Sequence, residues 1–260
     1  MLGKSVLFEK KGKVATIALN RPDAMNSMNK DLVVELMAAL TSAREDREIR
    51  AVVLTGKGKG FCAGGDLFYL RSLSDPIVAR NFIKEAGDII SLIMDMEKPV
   101  IAMVNGIAAG AGFQLALACD IVFCAKSARF AQSFAKVGLV PDCGGFYLLP
   151  RVVGIHKAKE LMFTADVIDA EAALSLGIVN KVVDDEALDD SVCKFAARLA
   201  DGPPIAYDMI KSMVARSDKL DLESTLEYEA DLQCICMQTA DHKEGVEAFK
   251  AKRAPVFQGK

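Results

Sequence analysis

The feature that most constrains this chain is a repeated order of apolar run, glycine loop and helix. AVVLTG at 51–56 leads into KGKGFCAGGD at 57–66, after which Asp66 opens a helical stretch. PVIAMVNG at 99–106 leads into IAAGAG at 107–112, then FQLALACD at 113–120 and IVFCA at 121–125. Short apolar runs without polar alternation suit strands covered on both faces. Parallel strands of that kind need crossover helices between them. The pattern therefore predicts an α/β fold.

The flanks fit the same plan. Val6–Glu9 and Val14–Leu19 surround KKGK and predict a hairpin. Asn29 or Ser27 is placed to cap an amphipathic helix over KDLVVELMAALTSARED. A long helix is predicted from about Ile77 to Met96, and the chain past Ala158 reads as mostly helical. DGPP at 201–204 is the clearest punctuation. It divides an α/β core, 1–200, from a helical C-terminal segment, 201–260.

Composition narrows the function. Lys+Arg 32 against Asp+Glu 35 leaves a net charge of -3, which argues against a nucleic-acid partner. An anionic small ligand is still compatible, held by helix N-termini and a few local lysines. The N-terminus shows no long apolar signal region, and no run has the length and flanks of a membrane span. Seven cysteines without framework spacing suggest free thiols in a reducing cytoplasm. With only His156 and His242 available, no metal site is expected. Both histidines read as surface or packing residues.

The glycine loops fail three familiar tests. GFCAGGDL at 60–67 has an acid where a P-loop needs lysine. GAGFQL at 110–115 ends in Leu115 and lies mid-chain, against the dinucleotide fingerprint. No G-x-S-x-G is present for a nucleophile elbow. Two readings of the loops stay open. They serve tight turns and packing, or each leaves a backbone N–H at a helix start, and two such donors make an oxyanion hole.

The loops resemble the two signatures of the crotonase, or enoyl-CoA hydratase/isomerase, superfamily. The residues that carry the resemblance are RPDAMNSM at 21–28, FCAGGDL at 61–67 and VNGIAAGAGFQLALACDIVFCA at 104–125. VGLVPDCGGFYLLPRVVG at 137–154 and the tail EGVEAFKAKRAPVFQGK at 244–260 continue it. Within the superfamily the PDCGG–LLPR run and the KR-P-F-GK ending are most similar to the phenylacetate-pathway isomerases of epoxyphenylacetyl-CoA and related enoyl-CoA esters.

The resemblance implies a spiral of strand–strand–helix turns, with C-terminal helices that build trimers, often paired into hexamers. It implies acyl-CoA thioester substrates and no prosthetic group. By position, the oxyanion-hole N–H groups fall on Gly65 and Ala111, the latter replacing a commoner glycine. Coenzyme A contacts fall on Ala24, Met25, Ala63, Asp66 and Leu67. Phe249 and Lys252 match the tail pair that closes over the adenine of a neighbouring subunit; as residues alone they equally suit helix packing and a solvated charge.

Hydration in the family uses two carboxylates. This chain has Gln114 and Phe134 at those positions, and neither is a base. Asp142 stands where isomerase-like members carry their acid/base, with Phe134, Leu139 and Phe146 expected to make a dry acyl site. Its residue-level alternative is a turn aspartate after Pro141. Asp66 and Asp120 read as structural caps or turns, Asp23 as solvated, and Tyr147 as a packing ring or a supporting donor. The resulting expectation is an acyl-CoA isomerase acting through Asp142, shifting a double bond from 3-enoyl-CoA to 2-enoyl-CoA or isomerising the ring of an epoxy-aryl-CoA. A specialised hydratase and a non-catalytic acyl-CoA-binding subunit are the alternatives.

Overall fold

The computed structural model describes residues 4–260. The leader reading rests partly on Met1, Leu2 and Gly3, which lie outside the described residues.

The chain winds between two sheets. Strands β1 (Val6–Lys11) and β2 (Val14–Leu19) form the predicted antiparallel hairpin. Helix α1 (Lys30–Glu45) follows, capped by Asn29, whose side chain accepts from Leu32 N–H. Then β3 (Ala51–Gly56) and β4 (Gly60–Cys62) precede α2 (Leu67–Ser72) and α3 (Pro76–Met94). Next come β5 (Val100–Val104), β6 (Ile107–Ala109) and α4 (Ala111–Ala118). The third round holds β7 (Ile121–Ala125), β8 (Arg129–Ala131), a short 3-10 turn at Ser133–Val137, α5 (Gly145–Val153) and α6 (Ile155–Thr164).

Each round gives its first strand to one sheet and its second to another. The larger sheet has the order β1-β2-β3-β5-β7-β10, parallel from β2 onward, where β10 is Lys181–Val183. The smaller is β4-β6-β8-β9, where β9 (Val167–Asp169) runs antiparallel to β8. The expected strand–strand–helix spiral is thus observed. The sequence pattern placed Gly60–Cys62 and Ile107–Ala109 in loops. They are strands of three residues each, held by the long-range pairing of Gly60 with Ile107 and Cys62 with Ala108 rather than by a local apolar pattern.

Helix α7 (Ala170–Ser175) leads to β10, and α8 (Leu188–Ala200) then crosses the large sheet. Alternate residues explain the continuous apolar strands. Val52, Leu54, Val100 and Ala102 face the main core, while Val53, Ile101 and Met103 pack against Leu188, Val192 and Ala196 of α8.

Beyond α8 lie α9 (Pro204–Val214), α10 (Leu222–Gln238) and α11 (Ala240–Ala251). Neither α9 nor α10 has a buried residue. Lys211 anchors α9: its ammonium donates to Asp120 at 2.8 Å and to the carbonyls of Ile93 and Lys98. Asp120 also accepts from Val100 N–H just past α4, the turn role expected of it. The tail is fastened by buried Asp241, which accepts from Gln258 and Gly259 N–H, and by Arg50, which donates to the Phe257 carbonyl. No described helix is long and apolar enough to cross a membrane.

Candidate active site

The two glycine loops meet because α4 packs directly on β4. A Cβ on Gly112 would overlap the Cys62 carbonyl oxygen, so that position admits only glycine. Gly110, at φ 50 and ψ -125, makes the turn into α4 in a region closed to side chains with a Cβ. The loops touch there: a Cβ on Gly110 would lie 3.8 Å from the Gly64 Cα, and one on Gly64 would lie 3.5 Å from the Ala111 nitrogen.

Gly65 and Ala111 are therefore neighbours across the two loops. Neither backbone N–H donates to a protein acceptor among the described residues. Ala111 is the first residue of α4, where the N–H is free by helix geometry and the helix dipole favours negative charge. Its backbone is helical, so its Cβ is accommodated without strain. Two such donors can receive an oxygen that gains charge during reaction.

A cleft of about 440 Å³ opens beside them. Of the residues expected from sequence, Ala63, Gly65, Leu67, Phe134, Leu139 and Asp142 line it. Leu70 of α2, Leu73 just past it, and Ala79 and Ile83 of α3 complete an apolar wall that sequence reasoning missed. Their signal was ordinary helical periodicity, which does not say what a face covers. Phe146, expected in the dry wall, is instead 62% exposed and does not line the cleft. It lies on the outer face of α5, whose inner face is taken by Leu148 and Leu149.

Asp142 is the one charged side chain in the lining. Its Oδ1 is buried and has no hydrogen-bond partner. Burial pushes its carboxyl above the ordinary value, opposed in part by the Cys143 thiol and its own backbone N–H. Cys143 is held at φ 45, a strained angle for a residue with a side chain. Burial and Asp142 push its thiol far up, which disfavours the thiolate.

Asp66 is arranged in the opposite way. Its Oδ1 accepts from Phe68 and Tyr69 N–H, capping α2, and its Oδ2 pairs with Arg21 at 2.9 Å. Its own N–H and carbonyl are bonded to Met28 and Leu70. Burial works against its charge, but the Tyr69 N–H and Arg21 outweigh it and hold the carboxyl below the ordinary value. All its polar groups are engaged within the chain, which matches the structural reading of Asp66.

The first loop, with Ala24 and Met25, is tied to the second by Ala63 N–H donating to the Met25 carbonyl. Asn26, missed from sequence, makes the closer link. It is fully buried at φ 57, accepts from Arg21 N–H, and donates to the Lys57 and Gly60 carbonyls. Gln114 is buried too, its amide donating to Gln132 at 2.7 Å. Phe249 and Lys252 lie exposed at the end of α11 and do not line the cleft of their own chain. Tyr147 is half-buried with the Arg151 guanidinium stacked 3.4 Å above its ring. His156, His242 and Asp23 are exposed. No metal-binding cluster occurs among the described residues.

Residues 9–260 match the family model described as enoyl-CoA hydratase/isomerase. The chain belongs to that family. A "1,2-epoxyphenylacetyl-CoA isomerase" of Escherichia coli (strain K12) is 41% identical over 95% of both chains. A "Crotonyl-CoA hydratase" of Syntrophomonas wolfei subsp. wolfei is 40% identical over 100% of both. The crystal structure of an enoyl-CoA hydratase from Bacillus anthracis superposes with a TM-score of 0.94 at 34% identity, covering 98% of this chain and 100% of that one. Crotonase-family membership makes this an enzyme of acyl-CoA thioesters. Relatives named for hydration and for isomerisation are equally similar, so the reaction must be argued from the site.

Proposed function

We propose that this crotonase-family enzyme moves a double bond, converting a 3-enoyl-CoA to its 2-enoyl isomer, with Asp142 as the single proton shuttle. The observation that carries this reading is the half-buried carboxyl of Asp142, whose Oδ1 is buried without a partner, in an apolar cleft beside two free N–H donors. The Asp142 carboxylate removes a proton from the α carbon. The electron pair moves onto the thioester oxygen, which the Gly65 and Ala111 N–H groups receive. Asp142, now protonated, returns the proton to the γ carbon as the double bond shifts. No other group is consumed. A carboxyl raised by burial is the stronger base for the first step.

Ala63 and Leu67, with Ala24 and Met25 alongside, hold the coenzyme A portion, and Phe134 and Leu139 hold the acyl group. Phe249 and Lys252 cover the adenine end of a neighbouring subunit's ligand. The exposed apolar residues Ile210, Val214, Leu222, Leu226 and Ile235 of α9 and α10 are the surface a trimer would bury.

Hydration is the second reading, favoured by the similarity to the Syntrophomonas crotonyl-CoA hydratase. Against it stand Gln114, a neutral amide, and Phe134, an apolar wall. Crotonyl-CoA separates the two: loss of its conjugated thioester absorbance in water would replace the isomerase reading. Deuterium wash-in from D2O at the α carbon of a bound acyl-CoA tests enolate formation directly. Its absence, with binding retained, would leave a binding subunit instead of an enzyme.

A further inference from the structure

Three side-chain polar atoms among the described residues are buried without a partner: Gln114 Oε1, Gln132 Nε2 and Asp142 Oδ1. Such atoms are few in folded proteins, and each calls for a reason. Two belong to one pair of amides and the third to the proposed shuttle. Gln114 and Gln132 are 0% and 1% exposed, far below the usual exposure of glutamine. They share a single bond of 2.7 Å. An apolar pair would fill the same space without unsatisfied groups.

The pair lies between the two halves of the site. Gln114 is on α4, and its backbone N–H donates to the Gly110 carbonyl one turn from Ala111. At its other end, the amide presses on the Asp142 turn. A Cβ on Gly145 would lie 2.7 Å from Gln114 Nε2 and 2.9 Å from Pro141 Cβ, and Gly145 N–H donates to the Asp142 carbonyl. Gln132 enters the Ser133–Val137 turn, whose Ser133 and Phe134 lie closest to Gly110.

We propose that Gln114 and Gln132 are positioning residues, a neutral amide pair that seats the Asp142 turn against the helix carrying the Ala111 N–H. The inference rests on Asp142 being the shuttle. Neutrality is part of the role. Around the cleft, α2 and α3 present only apolar side chains, and the Ser133–Val137 turn adds Ser133. From α4 comes the Gln114 amide. The titratable neighbour on the Asp142 loop is the Cys143 thiol. A carboxylate in place of the Gln114 amide would be the first like charge against the Asp142 turn.

The test is the carbon-13 titration of the Asp142 carboxyl in the full chain, assigned by its loss in Asp142→Asn. Gln114→Glu is expected to move the midpoint upward by about one pH unit through like-charge repulsion. The acid limb of the isomerisation profile moves with it. The volume-conserving Gln114→Met provides a second reading. Its kcat is expected to fall roughly tenfold to a hundredfold through misplacement of the turn, with KM and melting temperature kept. An unmoved titration in Gln114→Glu overturns the proposal. So does a Gln114→Met enzyme that loses melting temperature and keeps kcat, which is the signature of a purely structural pair. If Asp142→Asn keeps its turnover while the titration still shifts in Gln114→Glu, the chemistry assigned to Asp142 fails and the contact stands.

Discussion

Asp66 and Asp142 sit on two loops at one cleft, in the same polypeptide and the same solvent, and their carboxyls behave oppositely. Asp66 lies between Gly65 and Leu67, both lining residues, yet it faces Arg21 and two helix N–H groups. Asp142 faces leucines, valines and a phenylalanine. The first is held charged and spent on structure. The second has its charge penalised by burial and is left available. Partners, more than location, separate a carboxyl fixed in structure from one left open for the proposed chemistry.

The largest expected break in this contrast is kinetic. Asp142→Asn should lower α-proton exchange and isomerisation by about 10²- to 10⁴-fold while acyl-CoA binding persists. Asp66→Asn, which keeps the cap, should leave the chemical step far less affected, as stopped-flow assays of both variants would show. Comparable losses in the two would erase the distinction.

Stability should reverse the order. Asp66→Ala removes a cap and a charge-assisted bond to Arg21, and should cost about 2 kcal/mol in urea denaturation. Asp142→Asn removes a charge that burial penalises, and should gain about 1 kcal/mol at neutral pH, the usual trade between stability and activity. A destabilised Asp142→Asn would mean that the carboxylate has a partner in solution.

The smallest effect is the pH dependence of those differences. The Asp66 carboxyl is lowered on folding, so its contribution is complete above its unfolded value and is lost as pH falls through the folded one. The Asp142 carboxyl is raised. It contributes nothing below the unfolded value, and its cost grows as pH rises from about 4 to the folded value, then stays constant. The advantage of Asp142→Asn should therefore widen on that side, and the deficit of Asp66→Ala should shrink on acidification. Denaturation midpoints across pH 3 to 7 would show two curves diverging in opposite directions.

Much of this arrangement was legible in the chain itself. Runs such as AVVLTG and PVIAMV gave the large sheet because both of its faces are covered. The small sheet was not legible: β4, β6 and β8 have three residues each, and their pairing is long-range. At the site, Asp142 and the two glycine loops stood out by spacing and family likeness. The Arg21–Asp66 pair spans 45 residues and the Gln114–Gln132 pair 18. Such contacts exist only after folding, and a polar residue in an apolar run announces its oddity without naming its partner. Asn26 was hidden for another reason. It sits in a loop rich in Asn and Met, and its value lies in bonding to the Lys57 and Gly60 carbonyls far along the chain.

The contact of Gly112 with the Cys62 carbonyl bears on how the enzyme's selectivity could be reshaped. With no room for a methyl group, the distance between the two N–H donors is set by backbone against backbone and is closed to gradual adjustment. A library aimed at new acyl groups gains nothing from positions 110–112. Diversity belongs on the surrounding wall, at Leu70, Leu73, Ile83, Phe134, Val137 and Leu139, whose side chains line the cleft while the proposed anchor stays fixed.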